Sequence, residues 1–391
     1  MKTLVYKPLS EIAELLNGYA FKSKNYVSSG IRVIRIANVQ DGYISDEKPC
    51  FYPIDTQEDV TRYMLKENDF LVSLTGNVGR VAILTQEFLP AALNQRVSCI
   101  RIKNEEINFK FLFYYFLRKQ FQKDCIEASQ GVAQLNLSTK WLEKYPIPLP
   151  SIDEQKRIVA KIEELFSELD NGVETLKKTK QQLAVYRQAV LKEAFKGCKT
   201  YTAFGKITDA RLGKMLDKEK NTGIYRQYLR NINVRWFSFD LSDLLQMRIE
   251  EDEEEKYSIK KGDLVICEGG EPGRCAVWEN EDTFFYQKAL HRVRFLDDSN
   301  PKFYMYYLWF SAQTGKLSHY FTGTGIKHLT GQSLDKLSVP TTCKENQDFI
   351  VEKIEARLSV CDSIEQTVDT ALQQAEAMRQ SILKKAFEGE L

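Results

Sequence analysis

The chain has 391 residues, 43% of them hydrophobic, which is enough for about two to four domains with buried cores. Lysine plus arginine (55) nearly balance aspartate plus glutamate (54), so the net charge neither favours nor excludes a nucleic-acid partner. The sequence offers no stretch of about 18 apolar residues that could span a membrane and no signal peptide. Its eight cysteines form no CxxC pair and only three histidines occur, so we expect a cytoplasmic protein with reduced thiols and no metal site.

The first 150 residues combine strand patterns with one buried helix. Apolar runs at residues 33–36, 70–74, 81–84 and 97–100 are typical of strands, and the fully apolar run at 111–117 predicts a buried helix. The turns that follow these strands carry Arg80, Asn94 and Arg96. Arginine can bind guanine, and asparagine adenine, through two hydrogen bonds, so the three residues are candidate base contacts. Turn glycines with solvated polar neighbours would give the same pattern.

Residues 151–198 carry the pattern of one long helix. Its apolar positions recur every seven residues, which is typical of a helix that packs along its length on another helix. These positions are Ile162, Leu169, Leu176, Leu183 and Val190. Ser151 and Glu154 predict a capping box at the start, and Gly197 is placed to end the helix. The interior Gly172 favours a kink or a break.

Residues 199–342 repeat the mixed pattern of the first 150 with less similarity. The turn at 269–274 matches 75–80, residues 290–293 match 93–97, and residues 229–234 match 34–39. The candidate base contacts of this part are Arg230, Arg274, His291 and Arg292. An acidic run at 250–255 would repel phosphate, so we expect it in a loop away from DNA. The preceding stretch suits either a nucleic-acid face or ordinary surface, and its basic and aromatic members are Lys218, Lys220, Tyr225, Arg226, Tyr228, Arg230, Arg235 and Trp236.

The second half of the chain repeats the first at a shift of 192 residues. Residues 155–197 and 347–389 align without a gap, with 18 of 43 positions identical. The apolar seam recurs in the second copy at Ile354, Cys361, Val368, Ala375 and Ile382. We therefore expect an α+β fold with an internal pseudo-two-fold repeat. Two mixed α/β domains (1–150 and 199–342) would be separated by two long antiparallel, coiled-coil-like helices (151–198 and 343–391). Two amphipathic helices in ordinary compact domains are the alternative.

Two motifs in this alternation of globular part and helix resemble one known family. Residues 148–159 read PLPSIDEQKRIV and residues 379–391 read RQSILKKAFEGEL. With these motifs the chain resembles, over its whole length, the specificity subunit of Type I restriction–modification systems. The segment at the start of the second predicted helix, VPTTCKENQ at 339–347, departs from the first motif, since it lacks the second proline and the Glu-Gln pair.

The resemblance implies a DNA-binding subunit without chemistry of its own. Each globular part would be a target-recognition domain that binds one half of a split double-stranded DNA site. The helices would set the spacing and dock two DNA adenine-methyltransferase subunits, and motor–nuclease subunits would join to form the endonuclease complex. No cofactor would be bound by this chain, because S-adenosylmethionine, ATP and Mg²⁺ would come with the other subunits. The expected partner-binding residues are Gln155, Ile158, Arg187, Phe195, Ile350, Arg379 and Phe387.

The residues themselves also favour a non-catalytic protein. The sequence has no Asn/Asp-Pro-Pro-aromatic methylation motif, no Walker loop and no carboxylate cluster followed by ExK. The alternative function is a pseudo-dimeric coiled-coil scaffold that joins two identical partners without DNA readout.

Overall fold

The structure is a computed structural model that describes residues 5–56, 60–131, 134–217, 219 and 221–391. It contains two compact units: unit 1 is Met1–Leu176 with Thr370–Leu391, and unit 2 is Lys177–Asp369. Each of the two long helices therefore contributes one part to each unit. Lys218 and Lys220 of the predicted basic stretch lie outside the described residues.

Unit 1 is built on a four-stranded antiparallel sheet and a three-stranded mixed sheet. Its elements before the long helix are β1 (Tyr6–Pro8), α1 (Leu9–Ile12), β2 (Ala13–Asn17), β3 (Ile31–Ile34), β4 (Phe51–Tyr52), β5 (Phe70–Ser73), β6 (Val81–Ile83), β7 (Ala91–Leu93), β8 (Val97–Ile102), α2 (Phe109–Phe116), α3 (Lys119–Ala128), α4 (Thr139–Glu143) and β9 (Pro146–Pro148). The strand orders are β2-β8-β5-β6 and β4-β3-β7, with β3 and β7 parallel. The four predicted strands and the predicted buried helix are all present.

Unit 2 repeats this topology. Its elements between the long helices are β10 (Tyr201–Ala203), β11 (Thr208–Leu212), β12 (Ile224–Leu229), β13 (Val234–Arg235), β14 (Ser238–Phe239), β15 (Leu245–Ile249), α6 (Glu254–Tyr257), β16 (Ser258–Ile259), β17 (Leu264–Cys267), β18 (Cys275–Val277), β19 (Phe284–Tyr286), β20 (Leu290–Phe295), α7 (Pro301–Gln313), α8 (Gly331–Lys336) and β21 (Ser338–Pro340). The sheets have the orders β11-β20-β17-β18 and β15-β12-β19-β16, with β12 and β19 parallel. The predicted internal repeat is therefore also a repeat of strand order.

The long helices are α5 (Ile152–Lys196) and α9 (Lys344–Glu388), each of 45 residues. At a rise of about 1.5 Å per residue, each is about 65 Å long. Helix α5 continues through Gly172, so the predicted break is absent. A Cβ added at Gly172 would have nothing within 4 Å, so this position has room for a side chain. Both helices end one residue before the predicted glycines, Gly197 and Gly389. At the start of α5, the Ser151 hydroxyl accepts a hydrogen bond from the Glu154 N–H at 3.4 Å, whereas the Glu154 carboxylate binds Arg157 at 2.7 Å.

Within each unit the two helix segments run antiparallel. In unit 1, Ile162 and Phe166 pack with Leu383 and Ala386, and Asp170 forms an ion pair with Arg379. In unit 2, the Lys180 ammonium lies 2.7 Å from Asp369, Arg187 lies 2.7 Å from Glu365, and Arg357 lies 2.7 Å from Glu193. Residue numbers rise along one segment as they fall along the other in both units. The buried members of the predicted seam are Ile162, Leu183, Val190, Ile354, Cys361, Val368 and Ala375.

Each unit buries its core between the four-stranded sheet and the helix that follows it. In unit 1, Phe387 of α9 packs against α2, with ring-centroid distances of 5.1 Å to Phe111 and 5.2 Å to Tyr115. In unit 2, Phe195 of α5 packs against α7 at 5.4 Å from Phe303 and 5.3 Å from Tyr307. The C-terminal end of each long helix is therefore part of a core built mainly by the other copy of the repeat.

Candidate nucleic-acid interface

Unit 1 collects four polar loops at one edge of its sheets. The main-chain N–H of Asn94 donates to Ile34 O at 3.1 Å, that of Leu74 to Arg96 O at 3.0 Å, and that of Gly76 to Leu135 O at 2.9 Å. These hydrogen bonds join the loops at 35–40, 74–80, 94–96 and 130–136, of which residues 132 and 133 are not described. We call this set loop edge 1.

Unit 2 forms the same edge with different side chains. The N–H of Gln287 donates to Leu229 O at 3.1 Å, that of Glu268 to Ala289 O at 2.9 Å, and that of Leu329 to Glu268 O at 2.8 Å. The joined loops are 230–235, 268–274, 287–289 and 322–328, and we call them loop edge 2. The hydrogen-bond pattern makes Gln287 the counterpart of Asn94.

Three of the predicted base contacts lie together on loop edge 1. Arg80 Nη1 donates to the side-chain Oε1 of Gln40 at 2.7 Å, and the Asn94 side-chain oxygen accepts a hydrogen bond from the Arg96 N–H at 3.3 Å. Arg96 is exposed, whereas Arg80 and Asn94 are half-buried. Arg96 is therefore the member of this group that is most accessible to a duplex.

Arg230 and Arg274 lie on loop edge 2, where each is held by its own loops. Arg230 Nη2 donates to the carboxylate of Asp243 at 2.8 Å. Arg274 donates to the Glu271 carboxylate at 2.7 Å and to Asn231 O at 2.9 Å. The buried Nε atom of Arg274 has no hydrogen-bond partner within the described part of the chain. Both guanidinium groups stabilise the loop conformation, and their contact with DNA stays a prediction.

His291 and Arg292 are not on the loop edge, contrary to what the sequence pairing implied. Each is 1% exposed. His291 Nε2 donates to Leu329 O at 2.9 Å, and Arg292 binds Asp209 at 3.0 Å. Burial lowers the pKa of the His291 imidazole and so favours its neutral form. Side chains this deeply buried cannot reach a base edge, and we remove both from the candidate contacts.

Strand pairing shows why the sequence comparison misplaced these two residues. His291 lies opposite Ile266 in unit 2, and Ser98 lies opposite Val72 at the same place in unit 1. The true counterpart of His291 is therefore Ser98, inside a central strand. Similar apolar spacing in 93–97 and 290–293 produced a match in the wrong register. The side chains that occupy the turn of unit 2 are Gln287 and Lys288.

The acidic run forms helical turns that are paired with cations, whereas the sequence had predicted a loop. Residues Glu251–Glu253 form a 3₁₀ turn that continues into α6. The Lys214 ammonium binds Glu253 and lies 2.6 Å from Glu250, where its hydrogen bond lowers the pKa of Glu250 to about 2. Arg226 lies 2.6 Å from Glu254, a partner 28 residues away in the chain. Sequence-distant cations of this kind cannot be assigned from a charge run alone.

Gln155 was predicted to bind a partner. It is instead buried, and its side chain links the start of α5 to the start of α2 by hydrogen bonds. It is 0% exposed. Its side-chain oxygen accepts the Asn108 N–H at 2.7 Å, and its amide donates to Glu106 O and Pro150 O, both at 2.9 Å. Gln347 is buried in the same way and accepts the Asn300 N–H at 2.7 Å. The start of α9 thus keeps the same buried glutamine contact, although its sequence lacks the Glu-Gln pair.

The other predicted partner-binding residues also make contacts inside their own unit. Phe195 and Ile350 are buried in the core of unit 2, whereas Ile158 and Phe387 are partly buried against that of unit 1. Arg187 and Arg379 form the ion pairs between the helices. Internal packing explains why these positions match in the two copies. Internal packing does not explain identity at several exposed positions, among them Gln181 and Gln373, Gln182 and Gln374, and Lys192 and Lys384.

None of the helices in the described part of the chain is both long and apolar enough to cross a membrane. The same residues contain no group of three or more His, Cys, Asp or Glu side chains arranged to hold a metal ion. All eight cysteines are described, and all are free thiols.

The chain has two mixed domains, each with a loop edge and each followed by a 45-residue helix. This arrangement defines a two-domain recognition protein. The family model of the Type I restriction modification DNA specificity domain matches residues 1–184 and 203–374, and the chain belongs to this family. The resemblance drawn from the two sequence motifs is thereby confirmed.

Two relatives and one solved structure match this chain over almost its whole length. The EcoKI specificity subunit of Escherichia coli K12 is 24% identical over 415 residues, which are 99% of this chain and 89% of that protein. The EcoBI specificity subunit of Escherichia coli is 26% identical over 421 residues, with coverage of 98% and 85%. A chain from a structure of the assembly and conformational transition of the type I R-M system is 16% identical, with a TM-score of 0.77 and coverage of 100% and 99%. That likeness shows that the α+β fold is shared.

Proposed function

We propose that this chain is the DNA-recognition subunit of a Type I restriction–modification complex, in which each unit binds one half of a split site. The observation that carries the proposal is the repeated loop edge, which has the same hydrogen-bonded frame in both units but different side chains. A repeated frame with unlike side chains suits the binding of two unlike base sequences. Membership of the DNA specificity family supports the same function.

On this proposal, residues 1–150 and 199–342 are the target-recognition domains, and residues 151–198 and 343–391 are the spacer helices. The ion pairs between the antiparallel segments in each unit stiffen those segments, as a spacer requires. The chain itself is non-catalytic. Methyltransferase subunits bring S-adenosylmethionine, and motor–nuclease subunits bring ATP and Mg²⁺.

The proposed contacts with bases come from the loop edges. Arg80, Asn94 and Arg96 serve unit 1, and Arg230 and Arg274 serve unit 2. Gln287 joins the second set because it occupies the place of Asn94. Contacts with phosphate oxygens would position the chain on the duplex, whereas contacts with base edges would select the sequence.

Two identical methyltransferase subunits would dock on the exposed positions that the two helices share. Gln181, Gln182 and Lys192 on α5 are each exposed and identical to Gln373, Gln374 and Lys384 on α9. Two copies of one partner would meet the same side chains twice. This face replaces the buried residues that the sequence had assigned to docking.

The function is tested by mapping methylated adenines in cells that carry the chain with its methyltransferase. We expect a split motif whose two halves are separated by unspecified bases. Arg96→Ala should relax the half that unit 1 binds, with a loss of discrimination of about 1–3 kcal/mol, or about 5- to 150-fold, at one position. Lys123→Ala, an exposed cation on α3 of the same unit, is the matched control and should leave the motif unchanged. A continuous motif, or methylation that does not depend on this chain, would contradict the proposal.

The docking face is tested by native mass spectrometry of the complex. Replacing Gln181, Gln182 and Lys192 by alanine should reduce the bound methyltransferase from two copies to one, because the matching face on α9 remains. Lys196→Ala is the control, since Lys196 is exposed but its counterpart is Glu388. Two bound copies in the triple variant would place the docking face elsewhere.

A further inference from the structure

Unit 2 contains an exposed two-stranded ribbon with polar side chains on one face. Strands β12 and β15 pair antiparallel, with Tyr225 opposite Arg248 and Gln227 opposite Gln246. All four side chains are exposed, and Tyr225 is 59% exposed. Strand β15 is at the edge of its sheet, so another molecule can approach the ribbon along that side.

The opposite face of the ribbon is packed, which fixes the direction of the four side chains. Successive residues of a strand point to opposite faces. Tyr228, Met247 and Ile249 are buried and pack with Phe285. The polar face is therefore held outward by a core on its other side.

Glu254 of the acidic run is anchored away from this face, whereas Asp217 lines the same cleft as Tyr225, Gln246 and Arg248. Glu254 binds Arg226, which lies between Tyr225 and Gln227 in β12 and so points to the other side of the sheet. Arg248 remains on the polar face, where its guanidinium lies 5.0 Å from the centroid of the Tyr225 ring. The face therefore presents one cation and two amides without a neighbouring carboxylate from the ribbon itself.

We propose that this ribbon face selects bases in the half-site bound by unit 2, an inference that rests on the proposed function. The major groove of B-DNA admits a two-stranded β-ribbon, and glutamine and arginine bind adenine and guanine there through paired hydrogen bonds. Residues two apart on a strand are separated by about 6.8 Å, which is about two base-pair steps. Gln227 and Gln246 bind adenine edges, and Arg248 binds a guanine or a phosphate next to them.

The corresponding strands of unit 1 do not present such a face. The hydrogen bonds of Ile34 O and Leu229 O align Arg32 with Gln227. Arg32 lies opposite Phe51 with its guanidinium 4.9 Å from that ring, and it forms an ion pair with Asp46. Its guanidinium is engaged inside the unit and its partner is an aromatic ring, so the glutamine-lined ribbon is found in unit 2 and not at this place in unit 1.

The test maps methylated adenines for the complete complex carrying Gln227→Ala with Gln246→Ala, and separately Arg248→Ala. We expect one half of the split motif to become degenerate at one or more positions, with about 5- to 150-fold less discrimination. The other half and the spacing should stay unchanged. Gln313→Ala, an exposed glutamine on α7 of the same unit, is the control and should have the wild-type motif.

Arg96→Ala identifies the half bound by unit 1 and makes the outcomes distinguishable. Ribbon variants that relax the half which Arg96→Ala leaves intact support the ribbon. An unchanged motif, a change in the same half as Arg96→Ala, or a uniform loss of methylation with an intact motif would each overturn it. If the wild-type complex showed no split motif at all, the proposed function would fail instead. Thermal melts of each variant check that unit 2 remains folded.

Discussion

The two units share an arginine–aspartate pair on the central strands and differ at exposed positions of the neighbouring sheet. Arg101 binds Asp69 at 2.6 Å in unit 1, and Arg294 binds Asp263 at 2.8 Å at the same place in unit 2. At the paired strands outside this frame, Arg32 and Phe51 in unit 1 correspond to Gln227 and Gln246 in unit 2. A buried polar group that loses its partner destabilises the fold, whereas an exposed one can be exchanged at little cost. The shared pair supports the sheet in both units, and the exposed residues that differ are where we propose that the sequence specificity lies.

The largest expected effect tests whether the phenylalanines near the helix ends belong to the cores. Phe195 is 4% exposed and contacts three aromatic rings of α7, whereas Phe387 is only partly buried. Phe195→Ala should lower the free energy of unfolding by about 3–5 kcal/mol, and Phe387→Ala by less, because less of its surface leaves water. Denaturant titration of the full chain measures both.

Tyr186→Ala is the matched control, since Tyr186 is an exposed aromatic residue of α5. It should change the free energy of unfolding by no more than about 0.5 kcal/mol. A Phe195→Ala chain with wild-type stability and weakened methyltransferase binding would return Phe195 to the docking surface and contradict the packing explanation.

The second expected effect compares the buried glutamines at the starts of the two long helices. Gln155 makes three hydrogen bonds to the main chain of unit 1, and Gln347 makes two in unit 2. Alanine at either position leaves buried main-chain groups unpaired, each at a cost of about 1–3 kcal/mol. We expect Gln155→Ala to lower the free energy of unfolding more than Gln347→Ala, and exposed Gln181→Ala to have almost no effect. Equal losses at 155 and 347 would show that the extra hydrogen bond contributes nothing.

The sequence predicted the repeat, the helices and their ends because these depend on local or periodic patterns. The seven-residue spacing located α5 and α9, and Gly197 and Gly389 marked where they stop. Among the matched residues of the helices, fully buried ones such as Gln155 were assigned to docking, since identity between two copies has the same appearance whether it preserves a core or a docking face. Gln155 shows this, because only coordinates reveal its contact with the main chain of Asn108.

The loop edges were only partly predictable from the sequence. Arg80, Asn94 and Arg96 were placed correctly at strand ends, but His291 was placed a few residues out of register, which moved it from a core to a surface. The ribbon was missed because Gln227 and Gln246 lie in separate strands, and their pairing follows from the sheet. One signal was present in the sequence: the interleaved Tyr225 and Arg226 lie on this strand.

The smallest expected effect concerns His291 and its counterpart Ser98. Burial lowers the pKa of His291 in the folded chain, so the unfolded chain binds a proton more readily. The stability that depends on neutral His291 is therefore full above the unfolded pKa of about 6.5 and is lost as the pH falls through the lower folded value. One proton limits the slope to about 1.4 kcal/mol per pH unit. His291→Ser, which installs the residue of unit 1, should remove this part of the slope. Hydrogen exchange of peptides covering 287–296 and 322–329 at pH 8 and pH 5.5 measures it, with peptides covering 94–103 as the internal control. An unchanged difference between the two pH values in the variant would show that another group controls the acid sensitivity of unit 2.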